Sequence, residues 1–189
     1  MKKMDRRNAI QRVAFLMGGM ISAPAMAGML GKKINQGESV KFTAEQESLI
    51  AEIADVIIPN TSTPGAKAAK VEQFIVRVVR DCYTKADQDI FYAGLNKLDA
   101  DCQTKFGSGF ASANLTQKKE ALTTSMLEAD IARKKTKGQA TFFFMIKELT
   151  TTGYFTSEIG ATKALEYLPI PGKFDGCMPL TASQKTWAI

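Results

Sequence analysis

"TAEQESLIAEIADVIIP" spans Thr43 to Pro59. Thr43 and Gln46 make a capping box, in which the hydroxyl accepts from an early backbone N–H and the amide three residues on reaches back. Leu49, Ile50, Ile53, Val56 and Ile57 follow at steps of three and four, the spacing of one buried helical face. Pro59 has no N–H with which to continue the ladder, so the helix stops before it. The turn formers of "PNTSTPG" (Pro59–Gly65) then make a loop.

The same period continues downstream. A second helix is expected from about Ala68 to Tyr83, burying Val71, Phe74, Ile75, Val78, Val79 and Cys82. A third runs from about Ala86 to Phe106, with Phe91, Leu95, Leu98, Cys102 and Phe106 on its face, until "FGSGFASAN" (Phe106–Asn114) breaks it. A fourth covers about Thr116 to Lys135, with Leu122, Met126, Leu127 and Ile131 turned inward. The fifth, Gln139 to about Thr151, carries Phe142, Phe143, Phe144, Met145, Ile146 and Leu149 and is apolar on nearly all sides. Such a helix is central to a bundle or lies under a partner, and the central place is preferred. No stretch alternates with period two. The expected fold is all-α: a compact bundle of four to five main helices with an irregular C-terminal tail containing Pro and Gly.

A chain of 189 residues favours one domain, and 45% hydrophobic content is enough for a real core. It contains no histidine. That removes Ser-His and Cys-His nucleophile pairs, His-liganded zinc and the Glu-x-x-His pairs of a di-iron bundle. The net charge is +6, of which residues 1–27 carry +4. The basic balance therefore does not point to nucleic acid, and the cluster Arg133, Lys134, Lys135 and Lys137 reads as a solvated helix end.

Residues 1–27 read as an export signal. A basic region with paired Arg6 and Arg7 precedes an uncharged, weakly apolar run, and Ala25-Met26-Ala27 fits a small-x-small cleavage site. The arginine pair is that of a twin-arginine signal, although Ala9, Ile10 and Gln11 depart from the usual residues. The apolar run is also close to spanning length, so an uncleaved membrane anchor is the alternative. Residues 28–41 follow as a linker and 42–189 as the helical domain.

No residue pattern marks an active site. The carboxylates fall mostly on polar helix faces, and Gly107-Ser-Gly109 follows a helix where a dinucleotide fingerprint needs a strand. Cys82 and Cys102 lie on apolar faces. In an antiparallel hairpin turning near Thr84 they would stand roughly 24 Å apart, too far for a bridge that needs Cα atoms within about 7 Å. Cys177, in the tail, could reach Cys82. A Cys82–Cys177 disulfide is the preferred pairing, and no bridge at all is the alternative.

"TGYFTSEIGATKALEYLPIPGKFDGC" (Thr152–Cys177) resembles the C-terminal signature of the gluconate 2-dehydrogenase subunit 3 family. "LIAEIADVIIPNTSTPGAKAA" (Leu49–Ala69) is similar to its first helix and loop, with "RDCY" (Arg80–Tyr83) and "LDA" (Leu98–Ala100) in the expected order. The likeness covers about Phe42 to Trp187. It implies a non-catalytic small subunit, without activity or cofactor of its own, that accompanies a large FAD-dependent dehydrogenase subunit of the glucose-methanol-choline type. It further implies a cytochrome c as a possible third subunit bearing haem c, and export of the pair by the twin-arginine machinery to the periplasm as a membrane-associated complex.

The residues themselves agree with an escort. Tyr154, Phe155, Ile159, Tyr167 and Phe174 are anchors of the kind that interfaces favour. Pro169 and Pro171 hold "LPIPG" extended. Stretched out, the tail from Tyr167 reaches about 75 Å, enough to wrap a larger protein. Packing of the tail on its own helices is the other possibility, and both can hold. The rival functions are a stand-alone membrane-tethered structural protein and a carbohydrate enzyme working with two carboxylates.

Overall fold

A computed structural model describes residues 41–136, 139–168, 170, 172, 176, 177, 179, 182 and 184–188. Five helices make the bundle: α1 (Ala44–Ile57), α2 (Val71–Cys82), α3 (Lys85–Phe106), α4 (Leu115–Lys135) and α5 (Phe142–Phe155). The all-α expectation holds.

Each entry is set by local chemistry. The Thr43 hydroxyl accepts from the Gln46 N–H at 3.2 Å, and the Thr43 N–H donates to Gln46 Oε1 at 3.1 Å. Asn114 and Gln117 repeat the box at the start of α4. Thr84 caps α3, which ends at Gly107 in the left-handed region. The Phe110 N–H then donates to Asp99 Oδ1 at 2.8 Å, seating the Phe110 ring in the core.

α2 begins three residues later than the sequence suggests. Lys70 takes a left-handed φ of 54°, and Ala66, fully buried, donates its N–H to the Ile58 carbonyl at 2.9 Å. The alanines of this segment favour helix, but the tertiary contact overrides them. The segment is part of a tight loop. At Gly65 a Cβ would lie 2.6–2.7 Å from backbone atoms of Ile58, Pro59 and Asn60, so a side chain has no room.

α5 is the central helix and touches each of the other four. Ile146, Thr150 and Tyr154 recur every four residues along its most buried line. The Phe142 ring meets Phe91 edge-on, with centroids 5.3 Å apart. α5 starts and ends a few residues later than expected, because Gln139 and Ala140 stay outside the helix while Tyr154 and Phe155 stay within it.

α4 corrects the sequence reading. Leu122 is buried and Met126 packs on the core, but Leu127 and Ile131 point to solvent. The buried line runs instead through Ala121, Leu122 and Ala129. Small side chains let the helix axes approach closely, which offsets the smaller area buried per residue.

Candidate interaction surface

The C-terminal third leaves the bundle irregularly. Gly160–Ala164 is a π-helical turn closed by the Leu165 N–H on the Gly160 carbonyl at 2.9 Å. Gly160 is obligatory here, since a Cβ would sit 1.9 Å from the Tyr154 carbonyl oxygen. The chain then runs extended and pairs with its own end. The Glu166 N–H donates to the Thr186 carbonyl at 2.9 Å, and the Ala188 N–H donates to the Glu166 carbonyl at 2.8 Å. These two bonds make one parallel bridge between Glu166 and Trp187. Lys185 Nζ reaches the Lys163 carbonyl at 2.6 Å and ties the two segments again.

This return creates an apolar surface. A groove of about 450 Å³ runs between α5 and the paired segments, lined by Thr151, Thr152, Phe155, Thr156, Leu165, Thr186 and Trp187. Phe155 and Trp187 of its lining are exposed, as is Leu168, while Tyr167 is 56% exposed and Ile170 is 81% exposed. Phe155 at the end of α5, Tyr167, Leu168 and Ile170 in the departing segment, and Trp187 in the returning one are five large apolar side chains left in water.

The expected anchors divide. Phe155 and Tyr167 are exposed as expected. Ile159 is half-buried and packs on the core. Tyr154 is a correction: it is 2% exposed, and its hydroxyl donates to the Pro64 carbonyl at 2.7 Å. It falls on the inner line of α5, so its ring fills the core and its hydroxyl holds the Pro59–Gly65 loop. Pro169, Pro171 and Phe174 lie outside the described residues, as do Arg6, Arg7, Ala25 and Ala27. Leu165, Leu168, Ile170 and Trp187 were missed. Trp187, the one tryptophan in the sequence, was the available signal.

The cysteines are placed apart. Cys82, expected on the buried face of α2, is instead exposed at the helix's last turn, and Cys102 is buried on the inner face of α3, both as free thiols. The bridge from Cys82 to Cys177 is not made in this structure. Burial, helped by the carboxylates of Asp99 and Asp101, pushes the Cys102 thiol up, so it stays protonated and unreactive.

Several carboxylates are engaged structurally. Glu52 of α1 binds both Lys67 and Lys118, the latter at 2.7 Å, and these lysines hold its carboxyl below the usual range. A group so stabilised as an anion is a poor proton donor. Asp101 and Glu128 share the lining of a cleft of about 220 Å³ formed by α3, α4 and the start of α5. Lys97 Nζ sits between them at 2.6 and 2.9 Å, and both side chains are more than half exposed. Neither has the dry setting a general acid needs. Burial pushes the Tyr92 phenol up to about 12, which keeps it protonated. Among the described residues no group of His, Cys, Asp and Glu could hold a metal, and no helix is long and apolar enough to cross a membrane.

The sequence matches the model of the family gluconate 2-dehydrogenase subunit 3 over residues 44–172, well over half of the chain. The match takes in all five helices and the departing segment. No curated protein and no solved structure matches the chain.

Proposed function

The chain belongs to the gluconate 2-dehydrogenase subunit 3 family, and from that premise we propose that it is the non-catalytic small subunit of an FAD-dependent sugar or polyol dehydrogenase. Its work is to bind, stabilise and escort the flavoprotein subunit, of glucose-methanol-choline type. FAD resides in that partner, with haem c in a third, cytochrome subunit where one is present. Arg6 and Arg7 address the folded pair to the twin-arginine machinery, and the complex acts at the periplasmic side of the membrane.

The observation that carries this reading is the set of exposed apolar side chains Phe155, at the end of α5, and Tyr167, Leu168, Ile170 and Trp187, in the C-terminal segments. Such side chains are stable in water only at a cost of roughly 1.5–3 kcal/mol each relative to burial. A protein partner removes that cost, and an obligate interface of about 2,000 Å² or more accommodates them all. The small subunit needs no substrate group of its own, because the hydride leaves the sugar on the flavin subunit.

The test is to replace Arg6 and Arg7 by lysine in cells that make both subunits. Both proteins should then remain in the cytoplasm. Normal export of the flavoprotein beside a stranded small subunit would contradict the escort role.

A further inference from the structure

The groove at the end of α5 has one wall made by a separate segment of this same chain. Thr151, Thr152, Phe155 and Thr156 line it from α5 and its cap, and Leu165 from the departing segment. Thr186 and Trp187, of the returning residues 184–188, close the other side. The family match ends at residue 172, so the first wall belongs to the shared domain and the returning segment lies beyond it.

That segment is lightly held. Two main-chain bonds join it to Glu166, Lys185 Nζ reaches the Lys163 carbonyl, and Gln184 adds a further interaction. None of residues 184–188 is buried, and Trp187 itself is 41% exposed. A hydrogen bond open to water contributes little net, whereas ordering a segment gives up backbone freedom at every residue. A ribbon joined by one bridge does not stand by itself. The bundle is held in another way, by side chains such as Ile146 and Thr150 of α5 with no exposed surface. Between the two paired segments Gly172 takes a left-handed φ of 75° in open space. A residue so placed can absorb a change of chain direction without strain, as a hinge must.

We propose that residues 184–188 are a hinged strap that opens and closes over the end of α5 while the bundle stays folded. Closed, the strap shields the groove with Trp187 and the Glu166 bridge. Open, it leaves Phe155 and Leu165 to water. The strap therefore sets how much of the apolar surface the free chain presents. It is a cover in cis, and it acts whichever protein meets the groove.

Trp187 is the sole tryptophan of the sequence, so its emission in the full chain reports the strap and nothing else. In a urea series that emission should shift to the red while helical ellipticity is still native. Without denaturant, the N–H groups of Glu166 and Ala188 should exchange at least about a hundredfold faster than those of Ile146 and Thr150. A single transition shared by both signals overturns the inference, and so does equal protection of the four amides. An emission that is fully that of free indole before urea is added denies the closed state and overturns it too.

Removal of residues 184–189 tests the cover. The shortened chain should keep the parent's helical midpoint and bind more anilinonaphthalene sulfonate, which fluoresces on exposed apolar surface. A lowered midpoint would make the strap part of the bundle, and dye binding that is unchanged or reduced would mean that it shields nothing. Either result overturns the proposal.

Discussion

Tyr154 separates the core from the surface within one short motif, and its substitution is the sharpest test of that division. The ring is 2% exposed and the hydroxyl binds the Pro64 carbonyl at 2.7 Å. Tyr154→Phe deletes that bond and leaves a carbonyl short of a donor. One such loss costs about 1–2 kcal/mol. At this chain length each kcal/mol moves the melting midpoint by roughly 2–4 °C, so the variant should melt about 2–8 °C lower. Tyr154→Ala also leaves a cavity and should cost about 3–5 kcal/mol. Tyr167→Ala, at an exposed position, should stay within about 0.5 kcal/mol of the parent. Urea melts followed by helical ellipticity measure all three, with equal slopes certifying a common unfolded state. If Tyr154→Ala were as stable as Tyr167→Ala, Tyr154 would be a surface anchor and the inner line of α5 would be misassigned.

Glu52→Gln should cost about 2 kcal/mol at neutral pH, because Lys118 is left nearly buried without its carboxylate. Its pH profile carries a sign. The folded carboxyl is lowered from its free value of about 4.3, so its stabilisation is full above that value and is lost as the pH falls through the folded one. Acid melts of the parent should show that extra slope, and a Glu52→Gln chain with the same slope would refute the assignment. Gly160→Ala must displace the Tyr154 carbonyl and should destabilise by about 1–3 kcal/mol, with helix content retained; an unchanged midpoint would show that the π turn is not held there. Iodoacetamide should label Cys82 in the native state and Cys102 only in denaturant. Rapid native labelling of Cys102 would contradict its burial on the inner face of α3.

The fold was legible where side chains and backbone ask for the same thing. The box at Thr43, the stop at Pro59 and the all-round apolar α5 led directly to α1 and to the central helix. α4 was misread because Leu127 and Ile131 have the right spacing for a buried face, while Ala121 and Ala129 are what close approach to α3 and α5 requires. Spacing alone does not distinguish a bulky face from a small one. The C-terminal third was legible in composition but not in detail. Tyr154 and Phe155 are neighbours of like chemistry, and the 100° between them on a helix sends one into the core and leaves the other exposed. The bridge from Glu166 to Trp187 joins residues 21 apart without any period-two run, so no local pattern announces it.

The claim beneath all of this is that the chain works through contact with a flavoprotein. Its most direct measurement is purification of the chain from its own host, followed by a flavin spectrum and a sugar-oxidation assay before and after the subunits are parted. The account predicts a stoichiometric complex that absorbs near the flavin maximum and is active whole, while the separated chain has neither flavin nor turnover. Sugar oxidation by the separated chain, or a complex without flavin, would contradict it.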